Sequence, residues 1–337
     1  MKSRPEPGVE VMDMPIPEVA DEEVLIKVKA AAICGSDLGI YNYTPAYIGM
    51  RLPVVMGHEF AGEVAETGTL VEGYTAGDRV LSESVKACGG CGFCRQGMSN
   101  LCDGSTLFGI HTDGGFAEYV AVPYKLLHRM PPGMSYEEAA LVEPLSNAVH
   151  FVNDVTPFRS GDLVVVQGCG PIGLFSAQLF SLGGAKVVIS GLGVDGVRLG
   201  IAEELGFEAV NIDEVDLVEH VMELTGGTGA DVAFVAVGAP PAVNQAMSLV
   251  RKRGAITVVG IFGSDVPVDL TWLVRRELTV VGAYDAKPVN FPTSIALISE
   301  GKVNVRDVLT HRFSLDDAEE AFRVALDGTG GKVEFTP

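Results

Sequence analysis

The chain of 337 residues lacks any run of about 18 uncharged apolar residues, the least a membrane-spanning helix needs. Its first residues also lack the charged-then-apolar order of a secretion signal, so a cytoplasmic protein with no membrane partner is expected. Basic residues are scarce. There are 24 Lys plus Arg against 44 Asp plus Glu, a net charge of -20 at pH 7, and no basic stripe. Such a surface repels a phosphate backbone, which argues against a nucleic-acid partner, and its self-repulsion favours solubility. What is present is ordinary globular composition, 47% hydrophobic and 20% charged. The length exceeds what one core usually accommodates, so two domains are expected.

The six cysteines are unevenly placed. Cys88, Cys91, Cys94 and Cys102 fall in one loop beside Gly89, Gly90, Gly92 and Gly97, a composition that bends sharply enough to bring four sulfurs onto one tetrahedral ion. Two disulfides are the competing reading, but a chain of this size with no secretion signal needs no such staples. With four thiolates the site is closed, so this zinc is structural. Elsewhere, Cys34, the His58-Glu59 pair and Glu143 offer sulfur, nitrogen and oxygen ligands from three separate stretches.

Up to about residue 150 the chain reads as strands and turns. Lys27 and Lys29 alternate with Ile26, Val28 and Ala30 as in a half-buried strand, and Ala117 to Val122 forms another apolar run before Pro123. A helix is expected over Tyr136 to Leu141, with Ser135 as N-cap and Glu138 closing a capping box. From about residue 160 strands alternate with amphipathic stretches, the pattern of a parallel sheet. Strands starting near Leu163, Lys186, Ala209, Asp231, Ala255 and Leu278 make a doubly wound six-stranded sheet. Two helical stretches, Phe291 to Ile298 and Asp316 to Leu326, follow.

The first of those strands runs into Gly168-Cys169-Gly170-Pro171-Ile172-Gly173, a G-x-G-x-x-G between a strand and a helix. Glycines let the backbone approach a pyrophosphate, and the helix N-terminus attracts its charge. Cys169 reads as a small packing residue. After the second strand, where an acidic residue usually receives the adenosine ribose, stands Gly191. Loss of that carboxylate, with Arg198 in the next helix, leans the site toward NADP or dual use, while Asp195 in the same loop could replace the acid.

Together these stretches resemble the zinc-dependent medium-chain alcohol dehydrogenases across nearly the whole chain. The resemblance is carried by Cys34-Gly35-Ser36-Asp37, Gly57-His58-Glu59, the four-cysteine loop, Gly114-Gly115-Phe116-Ala117-Glu118-Tyr119 and the glycine loop. The segment Glu143 to His150 is similar to the sorbitol and threonine dehydrogenase branch. The resemblance implies an α/β chain with a GroES-like, mostly β catalytic domain (1–150 and 286–337) and a Rossmann domain (151–285), assembled as a homodimer or homotetramer. It implies two zinc ions per chain and NAD or NADP as coenzyme. Cys34 and His58 would hold the catalytic zinc, with Glu59 and Glu143 coordinating or exchanging with water. Asp37 would orient the His58 ring, and Ser36 would pass the substrate proton. Gly168, Gly170, Pro171, Ile172, Gly173, Gly191 and Arg198 would bind the coenzyme. Two departures stand out: Gly39 replaces a histidine common in the family, leaving water or His111 to end the proton path, and the N-terminus is short for the usual first strand.

The expected reaction is oxidation of a secondary alcohol in a polyol, sugar alcohol or vicinal diol. An amino alcohol such as threonine is the near alternative, and a non-catalytic zinc and NADPH binder is the alternative from another class. Hydride leaves a carbinol carbon readily only when its oxygen carries negative charge, which is why a metal that lowers the alcohol's pKa belongs in such a site.

Overall fold

Strand β1 (Glu23–Ala32) buries Val24, Ile26 and Val28 and turns Lys27 to solvent, as the alternation requires. The computed structural model describes residues 1–337 and divides into two units, Met1–Ser146 with Ala286–Pro337, and Asn147–Asp285. After β1 the first unit continues through α1 (Gly35–Tyr41), β2 (Glu59–Thr67), β3 (Arg79–Ser82), β4 (Val85–Lys86), α2 (Gly92–Arg95) and β5 (Thr106–Leu107). Next come β6 (Tyr119–Pro123), β7 (Leu127–Arg129), α3 (Tyr136–Ala140) and α4 (Val142–Val149), which spans the boundary. Helix α3 starts on the capping box of Ser135 and Glu138 and lies against β1 and β2.

The second unit alternates strand and helix throughout. It runs β8 (Leu163–Gln167), α5 (Pro171–Leu182), β9 (Lys186–Gly191), α6 (Gly196–Glu204), β10 (Glu208–Asn211), α7 (Leu217–Leu224) and β11 (Ala230–Val235). It closes with α8 (Pro240–Leu249), β12 (Val250–Val258), α9 (Leu270–Arg276) and β13 (Thr279–Gly282). All strands pair in parallel in the order β10-β9-β8-β11-β12-β13, the doubly wound order. Val164, Val165 and Val166 are wholly buried, as expected of a central strand covered on both faces.

The chain then returns to the first unit through α10 (Asn290–Ser299), β14 (Leu309–Phe313), α11 (Ala318–Leu326) and β15 (Lys332–Phe335). Both helices were expected; the two strands were not. Strand β15 inserts between β14 and β1, giving the order β14-β15-β1-β2-β3-β7, with β6 also paired to β1. Val333 and Phe335 point into an apolar core with Phe322 and Ile40, and Lys332 and Glu334 occupy the alternate positions, also buried. Two charged residues in four make the segment look like a surface turn.

At the N-terminus, residues 3–22 form no strand. Lys2 bridges Val54, and its buried ammonium donates to the carbonyls of Glu6, Gly8 and Tyr41. A cleft of about 930 Å³ runs along Val9 to Glu18 and past β6, which has β1 as its only ladder partner.

Glu334 is fully buried between Arg312 and Ala32 on the flanking strands, and neither carboxyl oxygen has a hydrogen-bond partner. Burial, and after it the charge of Glu137, push its pKa up to about 8, with Arg312 and Lys332 opposing and Glu59 adding. The folded state therefore binds this proton more tightly than the unfolded chain does, so the contribution is complete below about pH 4.5 and is lost as pH rises to about 8. Glu334→Gln is expected to match the wild type in urea unfolding at pH 4.5 and to exceed it by about 3 kcal/mol at pH 7. An equal gap at both pH values would refute this account.

Candidate functional site

The candidate metal centre starts at Gly57, whose φ of +91° places it in the left-handed region and whose added Cβ would lie 2.4 Å from the Phe116 ring. The amides of Gly115 and Phe116 donate to the carbonyls of Gly57 and Met56, at 2.8 and 2.9 Å. The Gly114-Gly115-Phe116 loop thus clamps the turn that presents His58 just before β2. Cys34 stands at the N-cap of α1. One donor atom each from Cys34, His58 and Glu59 falls within 4.8 Å of the others, and His58 and Glu59 are buried. Nδ1 of His58 is buried without a hydrogen-bond partner, while Nε2 lies 3.4 Å from the Ser36 hydroxyl.

Lys332, which the sequence did not flag, completes the surroundings. From β15 its ammonium reaches Glu59 at 2.6 Å (Oε1) and 2.5 Å (Oε2), with the two side chains 3% and 0% exposed. Burial works against the ammonium, yet the charges of Glu59, Cys34 and Glu143 hold its pKa above the ordinary lysine value. Burial likewise raises the carboxyls of Asp37 and Glu143, with His58 opposing in both. Burial disfavours charge on His58 too, but Cys34 and Asp37 outweigh it and raise its pKa well above normal. Cys34, Asp37, Glu59 and Glu143 are thus four acidic groups gathered around one lysine and one imidazole. That imbalance, with a mixed sulfur, nitrogen and oxygen donor set and an unpartnered ring nitrogen, fits a divalent cation of the zinc type.

The other expected residues divide. Glu143, at the start of α4, is buried and takes a hydrogen bond from Ser84, but it is not part of the tight group of three. Asp37 accepts the Cys34 amide through Oδ2 at 2.9 Å, and its Oδ1 is buried without a hydrogen-bond partner. It therefore caps α1 and holds the Cys34 backbone, and its influence on His58 is through charge. At Gly39 an added Cβ would lie 2.4 Å from Cε2 of Tyr47, so a side chain there would have to displace that ring. His111 accepts the Leu107 amide through Nδ1 at 3.1 Å, which occupies it in a local turn.

The four cysteines form the second tight group, with no disulfide. The sulfurs of Cys91 and Cys94 are 3.5 Å apart and those of Cys88 and Cys94 3.9 Å. The amides of Cys88, Cys91 and Cys94 donate to Cys102, Cys88 and Cys91 sulfurs at 3.3 to 3.4 Å. Backbone donors at Gly90 and Cys91 lower the Cys88 thiol to about 6, whereas burial and the neighbouring sulfurs raise Cys94 to about 12. Sulfurs this crowded ionise together only around a cation, and four of them close a tetrahedral site.

In the second unit, Gly168 to Gly173 forms the turn from β8 into the twelve-residue α5, with Pro171 in its first turn. An added Cβ at Gly170 would meet nothing within 4 Å, so open space lies over the loop, while one at Gly173 would lie 1.9 Å from the Gly168 carbonyl. Those are the requirements for a pyrophosphate at a helix N-terminus and for close strand–helix packing. Cys169 is buried, and burial with the Asp195 charge pushes its thiol to about 12, which fits a packing role. Gly191 ends β9, and Arg198, on α6, pairs with Asp195 at 3.0 Å.

Lys332→Met leaves the Glu59 carboxylate buried without its counter-ion and is expected to cost about 3–5 kcal/mol of folding stability, with Lys332→Arg recovering part of it. Urea unfolding of the two variants checks this; a methionine variant as stable as the wild type would show that the pair does not hold the strands.

Comparison with known proteins follows the same lines. Residues 20–132 match the profile of the alcohol dehydrogenase GroES-like domain, and residues 171–300 that of the zinc-binding dehydrogenases. The chain is 39% identical to a sorbitol dehydrogenase of Halalkalibacterium halodurans over 97% of its own length and 95% of the relative's. It is 37% identical to an L-threonine 3-dehydrogenase of Pyrococcus furiosus over 99% and 97% of the two chains. Among solved structures, 2R,3R-butanediol dehydrogenase from Bacillus subtilis is similar with a TM-score of 0.90 and 34% identity, covering 99% of this chain and 97% of that one. With its GroES-like sheet, its Rossmann sheet and this extent of likeness, the chain belongs to the zinc-dependent medium-chain alcohol dehydrogenase family.

Proposed function

We propose that the protein oxidises a secondary alcohol of a polyol, sugar alcohol or vicinal diol to the ketone, reversibly, with a nicotinamide coenzyme. The observation that carries this reading is the buried group of Cys34, His58 and Glu59, in a chain whose relatives include sorbitol and butanediol dehydrogenases. Cys34, His58 and Glu59 would hold the catalytic zinc, with Glu143 close by as the alternative carboxylate. A zinc ion there supplies Lewis acidity, drawing an alcohol's pKa down as it does water's, from about 15.7 toward about 7. A coenzyme would supply the acceptor for the hydride of the carbinol carbon, and the hydroxyl proton would leave separately. Ser36, 3.4 Å from His58 Nε2, would pass that proton on toward water. Asp37 fixes the Cys34 backbone, and Lys332 holds Glu59 in place and opposes the burial that raises its carboxyl.

The four-cysteine loop would hold the second, structural zinc. Six free thiols suit a reducing compartment, which supports a cytoplasmic location. Strand β13 is a sheet edge with Val280 exposed, and Trp272 and Val274 are exposed on α9. An unpaired apolar edge of this kind supports a homodimer or homotetramer, to be checked by light scattering. A second reading, oxidation of an amino alcohol, is favoured by the threonine dehydrogenase relative.

His58→Ala is expected to abolish oxidation, to lower bound zinc from two to one per chain and to leave coenzyme binding intact. Retained turnover would sink the mechanism. A panel of pentitols, hexitols, 2,3-butanediol and L-threonine is expected to give its highest kcat/KM with a polyol or diol; L-threonine in first place would transfer the assignment to the second reading.

A further inference from the structure

We infer that the coenzyme site selects NAD over NADP, with Asp195 and Asp213 as the specificity-determining residues; this rests on the reading of the second unit as the coenzyme-binding unit. Rossmann sheets bind the adenosine ribose at the carboxyl end of the second strand, where an acid normally accepts its hydroxyls. Here that strand is β9 and that position is Gly191. It has no room for an acid. An added Cβ at Gly191 would lie 2.5 Å from the Cys169 sulfur, which belongs to the glycine loop itself, and 3.3 Å from Cβ of Asp195. A side chain at 191 would have to displace the Cys169 sulfur, and a carboxylate is supplied by the other neighbour.

Asp195 is fixed from two sides. Its Oδ2 accepts the Leu192 amide at 3.1 Å, and its Oδ1 accepts from Arg198 at 3.0 Å, with the two side chains less than one fifth exposed. A second carboxylate arrives from beyond β10, the strand beside β9: Oδ2 of Asp213 accepts the Gly193 amide at 2.7 Å. The turn after β9 therefore carries two carboxylates against the one guanidinium of Arg198, which is engaged by the first of them. The Leu192 and Gly193 amides, natural donors to a phosphate, already donate to these acids.

A 2′-phosphate adds nearly two negative charges. It would meet both carboxylates, find Arg198 neutralised, and have to displace hydrogen bonds that hold the turn. Ribose hydroxyls, by contrast, can donate to the same carboxylates. The gain of NADPH binding that Arg198 suggests in the sequence is thus offset by Asp195.

Equilibrium binding of NADH and NADPH to the holoenzyme, followed by calorimetry without substrate, tests this directly. The wild type is expected to bind NADPH at least about tenfold more weakly than NADH. Asp213→Asn, and separately Asp195→Ser, which removes the ion pair to Arg198, are expected to shift the ratio of NADPH to NADH affinity about tenfold toward NADPH, with NADH itself weakened by the loss of a ribose acceptor. Two variants in different turns guard against one that fails to fold. Equal or tighter NADPH binding by the wild type, or an unchanged ratio in both folded variants, overturns the inference. Binding of neither coenzyme overturns the dehydrogenase reading itself, and this inference with it.

Discussion

The ion pair between Glu59 and Lys332 is the constraint on which the candidate metal centre depends. Both groups are removed from water, a transfer that costs several kcal/mol for each ion and is recovered only when the partners meet in good geometry. The ammonium donates to Oε1 at 2.6 Å and lies 2.5 Å from Oε2. The lysine comes from β15 and the carboxylate from the first residue of β2, two strands that both pair with β1. The pair therefore fixes the relative placement of strands that would otherwise be held by ladder hydrogen bonds and the apolar cluster around Phe322. It also holds the Glu59 carboxyl beside Cys34 and His58, where a metal needs it.

The two cysteine-bearing centres solve the same electrostatic problem in different ways. In the loop from Cys88 to Cys102 the donors are four of a kind, supported by backbone amides, with no charged side chain enlisted. A cation there is fully enclosed by sulfur and has no remaining position for a substrate. Around Cys34 the donors are mixed, the carboxylates outnumber the nearby cations, and one ring nitrogen is left without a partner. Such a set leaves chemistry undone until a metal and a substrate oxygen arrive, which is why only this centre suits catalysis.

Features set by residues close in the chain were legible in the sequence. The cysteine spacing, the strand–glycine–helix unit and the Ser135–Glu138 capping box each carry their partners within a few positions, so pattern alone suffices. The rest depended on encounters between distant segments. Lys332 lies 273 positions from Glu59, within a four-residue strand whose second charge, Glu334, disguises it. Two outcomes are local instead: the Cys34 amide takes one oxygen of Asp37 and leaves the other unpartnered, and Tyr47 fills the space beside Gly39. The exclusion of an acid at Gly191 comes from Cys169, a residue on a different strand–helix turn, and no reading of the β9 segment by itself contains it.

The excursion of the chain through a second unit gives β15 a temporal meaning. Ribosomal synthesis presents Cys34, His58 and Glu59 long before Lys332, with all of β8 to β13 made in between. During that interval the carboxylate of Glu59 has no lysine to meet, so the nascent first sheet cannot bury it as an ion pair. The Glu59–Lys332 pair can therefore close only after β8 to β13 have been made, so the order of the chain sets the order in which the first sheet is completed.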